Sequence, residues 1–159
     1  VIWCFISAWI YNDKLLPVLK KPDTMPSIPE TQTREADSLM KLKASMPKDL
    51  MIYFEFNNAE FKPDPRYDLE VSGLKAWLDR YPGSMISVTG LTDLVGTPEY
   101  NQELGLKRAH SVGRYLEGKG ITTDRIITGS LGESKAIENY MTEEGRAMSR
   151  RTEITIKMQ

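Results

Sequence analysis

The run TGLTDLVGTPEYNQELGLKRA, residues 89–109, joins a strand to a helix, and the rest of the chain is read outward from it. Just before it, residues 85–89 alternate. Ile86 and Val88 fall on one side and Ser87 and Thr89 on the other, as a half-buried strand requires. Gly90, Thr92 and Asp93 end that strand. Thr97 stands where a helix N-cap belongs, with Pro98 at the first helical position and Glu99 in the first turn. Gly105, Ala109, Val112 and Leu116 then recur at i, i+4, i+7 and i+11 and form one ridge facing a core. The small residues of that ridge let the helix approach a sheet closely.

Asn101 and Arg108 are seven residues apart and project at nearly the same angle, about two turns or ~10 Å apart along the axis. Both lie at the border of the apolar ridge, facing an acid, Asp93, in the loop before the helix. Two readings fit this spacing. One is a salt bridge that pins the loop to the helix. The other is a binding site. A carboxylate takes an ammonium and a guanidinium grips a carboxylate with two prongs, so the pair suits a ligand carrying both charges on one carbon.

With its order T-G-x-T-D, then Y-N, then L-x-x-x-R-A, this stretch resembles the OmpA-like peptidoglycan-binding domain, whose pattern runs TGHTD, YN, LSxxRA. The resemblance covers residues 52–157. Near the C-terminus, residues 139–153 (NYMTEEGRAMSRRTE) are similar to the family's N-x-T-x-x-G-R-x-x-N-R-R-V-E signature. The resemblance implies binding to the diaminopimelate of a peptidoglycan stem peptide. Asp93 would take the ammonium and Arg108 the carboxylate, with Asn101 and the backbone near Thr92 adding hydrogen bonds. It places the last arginine of the pair, Arg151, near the ligand as a secondary site residue. The alternative for Arg146, Arg150 and Arg151 is that they hold the helix-to-strand corner and pair with Glu143, Glu144 and Glu153. Several residues depart from the pattern. Leu91 replaces the histidine of TGHTD, and Gly105 replaces the serine of LSxxRA, which is expected to loosen the helix beside Arg108. Ser149 replaces an asparagine, and residues 134–136 lack the usual proline.

Three parts are expected: an apolar segment at 1–11, a Pro-rich linker at 12–49, and the binding domain at 50–159. The first, VIWCFISAWIY, is too short to span a bilayer, which takes about 20 residues. It reads as the end of a transmembrane helix, against the alternatives of a buried or interfacial helix and a signal-peptide remnant. Five prolines (Pro17, Pro22, Pro26, Pro29, Pro47) favour extended backbone in the linker, and a short amphipathic helix is expected over residues 35–45, through Leu39 and Leu42. Extended, such a tether reaches roughly 100 Å at ~3.3 Å per residue. Lys14, Lys20 and Lys21 follow the apolar segment and argue the other way, since basic charge favours the cytoplasmic side.

Within the domain, Ile52, Phe54 and Phe56 are expected inward on a first strand, and Leu69, Trp77, Leu78 and Tyr81 on the apolar side of a helix. A third strand is expected over residues 125–129. A short helix follows around 142–148, and then a last strand with Ile154, Ile156 and Met158 alternating. The order β-α-β-α-β-α-β, with strands that keep a polar side, predicts an α+β two-layer sandwich. Its mixed four-stranded sheet carries helices on one face, in agreement with the fold the resemblance implies.

A formal charge of −1, from 21 basic and 22 acidic residues interspersed, gives no nucleic-acid footprint. His110 is the only histidine and Cys4 the only cysteine, so no histidine-rich zinc site and no Cys–His dyad can be built in the domain. His110, two residues past Arg108, is expected to face solvent. The expectation is therefore a non-catalytic, cofactor-free wall anchor. It would sit in the periplasm of a Gram-negative envelope, tied to a membrane, the inner one favoured, by its N-terminal segment. The competing readings are a wall-anchoring subunit of an inner-membrane machine such as a stator or secretion complex, and a wall-modifying enzyme.

Overall fold

The computed structural model describes residues 30–136 and 141–158, with side-chain burial from residue 38. The apolar segment at 1–11 and most of the linker's prolines lie outside the described residues. Two compact units divide at Ala44/Ser45. Helix α1 spans Glu30–Ser45, all but its last residue in the first unit; it is longer than the expected helix at its N-terminal end, and Leu39 on it is exposed.

The second unit holds β1 (Leu50–Tyr53), α2 (Pro65–Arg80), β2 (Ser84–Leu91), α3 (Pro98–Gly118), a 3-10 turn at Thr123–Arg125, β3 (Ile126–Gly132), α4 (Glu143–Ser149) and β4 (Arg151–Met158). The sheet order is β1-β4-β2-β3. β4 is antiparallel to both its neighbours, and β2 and β3 are parallel. This is the mixed four-stranded α+β sandwich that the alternation predicted.

Local chemistry starts each α-helix of the domain. Asp64 caps α2, Thr97 caps α3 and Thr142 caps α4, each side chain accepting a backbone N–H of the first turn. Pro65 and Pro98 occupy first helical positions, where no donor is lost. Period-two alternation then sorts the strands. Leu50 and Ile52, Ile86 and Val88, and Ile154 and Ile156 are buried, whereas Met51 and Tyr53 are exposed. Val71, Leu74, Trp77 and Leu78 of α2 and Ala109, Val112 and Leu116 of α3 complete the core. Leu69 is not on that stripe. It is 80% exposed, because two residues before Val71 places it on the other side of the helix.

Helix α3 meets β2 through glycines. A Cβ on Gly90 would lie 1.8 Å from the Gly105 carbonyl oxygen, and a Cβ on Gly105 only 2.9 Å from that of Gly90. The expected loosening at Gly105 is therefore replaced by a close backbone approach, which fixes the helix against the strand where the site residues begin. β3 runs three residues past its expected end, to Gly132, after a register shift between Gly90 and Leu91.

Candidate functional site

At the finish of β2, the polypeptide buries polar side chains that it would ordinarily leave in water. Thr92, Asp93, Asn101, Arg108, Arg150 and Arg151 are all buried. Arg108 is the largest fully buried side chain of the described residues, at 0% exposure. Its Nε donates to Asn58 O at 2.8 Å, Nη1 to Leu91 O at 2.8 Å, and Nη2 to Glu55 O at 3.2 Å. The Phe54 ring centroid lies 5.1 Å from its Cζ. Arg108 thus ties the segment after β1 to the end of β2. Desolvation pushes its pKa down to about 10, against the upward pull of nearby Asp93, so it remains charged at neutral pH.

Asp93 does not pair with Arg108. Its Oδ2 accepts from Arg150 Nη1 at 3.0 Å, with side chains only 5% and 8% exposed, and its Oδ1 accepts from Val95 N at 3.2 Å. Arg150 also donates through Nη2 to Glu143 at 2.9 Å and faces the Phe56 ring at 6.0 Å. Burial alone would lower the Arg150 pKa; its bonds to Asp93 and Glu143 outweigh burial and raise it. Phe56, expected inward, is 59% exposed. The strand ends at Tyr53, and Asn57 turns the chain with φ +54°, so alternation no longer governs position 56.

The second arginine of the pair lies elsewhere. Arg151 bonds Glu153 at 2.7 Å and donates to Met148 O at 3.1 Å, which holds the corner between α4 and β4. Strand parity explains the exchange. Thr152, Ile154 and Ile156 point to the helix side, and Arg150 shares their parity, whereas Arg151 shares that of Glu153. Extending the alternation of β4 back by two residues would have singled out Arg150.

Asn101 is 1% exposed and donates from Nδ2 to Glu133 Oε2 at 2.6 Å. Glu133, which spacing along α3 could not indicate, comes from the turn after β3. Thr92 N donates to Gly132 O at 2.9 Å, joining the same turn to the Asp93 loop. Asn101 Oδ1 and Thr92 Oγ1 are buried and find no hydrogen-bond partner among the described residues. Native proteins rarely leave such groups unpaired; Thr152 Oγ1, opposite Gly90 on β4, and Trp77 Nε1 on α2 share the condition. The rim above Asn101 and Thr92 is apolar and exposed, with Leu94 43%, Val95 48% and Tyr100 46%. His110 is exposed on α3, with Thr128 Oγ1 3.5 Å from its Nδ1. Among the described residues, no group of three or more His, Cys, Asp or Glu could hold a metal ion. No helix among them is long and apolar enough to cross a membrane.

The arrangement can be set beside known proteins. Outer membrane porin F of Pseudomonas fluorescens is 34% identical over 111 residues, which cover 70% of this chain and 33% of the porin. The peptidoglycan-associated lipoprotein of Buchnera aphidicola is 37% identical over 118 residues, 74% of this chain and 65% of that protein. The chain therefore spans between a third and just under two thirds of these relatives. The crystal structure of the peptidoglycan-associated lipoprotein from Burkholderia pseudomallei matches with a TM-score of 0.60 at 30% identity, covering 67% of this chain and 89% of that one. The family model for OmpA matches residues 53–150, which take in every residue of the buried cluster except Arg151. On fold and sequence together, the chain belongs to the OmpA family.

Proposed function

We propose that the domain binds peptidoglycan non-covalently, through the diaminopimelate of its stem peptide, and anchors a membrane or envelope component to the cell wall. The reading rests above all on surplus hydrogen-bonding capacity in a buried, charged cluster. Two oxygens there lack partners. Arg108, with three of its five N–H groups bound to carbonyls, keeps one on each terminal nitrogen. A pair of N–H groups on the terminal nitrogens is what a carboxylate takes bidentately. Asp93 uses two of its roughly four acceptor positions on Arg150 and Val95, which leaves room for an ammonium.

The ligand's amino-acid centre enters between the Asp93 loop and the segment after β1, as Leu94, Val95 and Phe56 part. Thr92 and Asn101 add neutral hydrogen bonds. Arg150, rather than Arg151, which the resemblance places near the ligand, holds Asp93 in position. The relatives named as peptidoglycan-associated lipoproteins support the wall as partner. The protein acts without cofactor or catalysis, in the periplasm, with the N-terminal segment as its tie to the membrane.

Selectivity tests this reading. Amidating the ligand carboxylate leaves Arg108 a neutral partner of nearly the same shape. The expected loss is about 1–2 kcal/mol, or roughly five- to thirty-fold. A lysine-type stem peptide should bind no better than the amidated one. Calorimetric titration of the three peptides at fixed salt decides the matter. Equal affinities would place the ligand elsewhere and leave the cluster a structural one.

A further inference from the structure

We propose that Glu133 sets the polarity of Asn101, so that this residue serves the ligand as an acceptor and reads the ammonium pole. The inference rests on the diaminopimelate reading and deepens it. A carboxylate only accepts, so the group of the Asn101 amide that faces Glu133 at 2.6 Å is the N–H. An isolated amide has no such preference, and its oxygen and nitrogen are interchangeable in shape. With Nδ2 engaged, Oδ1 is the atom left over, and it is the one without a partner. It sits beside Gly96, whose φ is +117° and where an added Cβ would lie 3.5 Å from it.

The turn that carries Glu133 is held on both sides. Gln102 Nε2 donates to Ser130 O at 2.9 Å and Thr92 N to Gly132 O at 2.9 Å. Gly132 has φ +51°, and a Cβ there would meet Gln102 within 3.2 Å, so the turn reaches this position because the residue is glycine. The backbone that carries Glu133 is thereby held near the start of α3. The site divides into an acceptor pole, Asp93 and Asn101 Oδ1, and a donor pole, Arg108.

An exchange of partners tests this. Asn101→Asp sets two carboxylates against each other and should weaken binding of a diaminopimelate tripeptide by about tenfold or more. Glu133→Gln lets the asparagine amide turn either way and should cost about threefold. The double variant Asn101→Asp/Glu133→Gln reverses donor and acceptor between the two residues but keeps an oxygen toward the ligand. It should bind within about threefold of wild type or more tightly, and melt close to wild type without ligand. A double variant that melts normally but binds as poorly as Asn101→Asp would overturn the inference, because the pair would be intact and its free oxygen irrelevant. One that recovers neither property would overturn the assigned polarity. In both cases, a wild type that still discriminates against the amidated peptide leaves the diaminopimelate reading standing. A wild type that ignores amidation ends both.

Discussion

The two ends of β2 are closed by the same device and differ in what surrounds it. At its start, Arg125 collects the carbonyls of Ser84 at 2.7 Å, Tyr81 at 3.1 Å and Leu78 at 3.3 Å. At its finish, Arg108 collects those of Asn58, Leu91 and Glu55. A guanidinium that satisfies three stray carbonyls is thus a way of closing a sheet in this domain, and burial of an arginine does not by itself mark a site. The finish differs in its further buried polar groups: an acid with a second arginine, an amide with a second acid, and two oxygens left over. Closing the sheet does not require these, and their desolvation is costly. That excess supports the proposal that the finish of β2 binds the ligand, a support its start does not offer.

The largest effect should come from Arg108→Ala. Three carbonyls lose their donor in a fully buried place, each worth about 1–3 kcal/mol when nothing replaces it. With water entering the gap, a net loss of about 3–5 kcal/mol is expected in urea unfolding. A cost no larger than that of Arg125→Ala would break the contrast between the two ends.

Next comes Asp93→Ala, which should weaken binding to sacculi by about 1.5–3 kcal/mol, the range for hydrogen bonds to charged groups. It should also destabilise the fold, though less than Arg108→Ala, because Arg150 keeps Glu143. Unchanged co-sedimentation with sacculi would remove Asp93 from the site. Arg125→Ala is expected to cost only about 1–2 kcal/mol of stability, since that side chain is only partly buried and water can replace it. Its affinity for muropeptide should match wild type. A loss of affinity there would show that the two ends are not separable.

The smallest effect concerns pH. The hydrogen bond from Arg150, and then that from Arg146, hold the Glu143 carboxyl below its usual value of 4.5. A depressed carboxylate adds stability above that value and loses it as pH falls through the lower, folded-state pKa. Glu143→Gln should lower the neutral melting temperature only slightly, because the group is exposed and screened, and should flatten this part of the acid unfolding profile so that variant and wild type converge below the folded-state pKa. An acid profile identical to wild type would show that Arg150 is held by Asp93 alone.

Much of this was legible in the chain as written, because it is encoded over a few residues. Thr97-Pro98 and Thr142 announce helix starts by capping chemistry, and Ile86, Val88, Ile154 and Ile156 announce buried strand faces by alternation. The small-residue ridge of α3 announced its closeness to the sheet. Phe56 and Leu69 were misplaced because a turn at Asn57 and a shift of the helical stripe leave no mark on local composition. The site divides in the same way. Asp93, Asn101 and Arg108 stand out by spacing within one strand–helix unit, and Thr92 enters only through the family resemblance. Their partners do not stand out. Arg150 reaches Asp93 across 57 residues and Glu133 reaches Asn101 across 32. Those pairings exist only because β4 lies beside β2 on one side and β3 on the other. Residue order sets which groups a segment can offer, through periods of two and 3.6 residues. Which of them meet is decided by strand order and by the low dielectric of the place where they are buried, and that belongs to the tertiary structure alone.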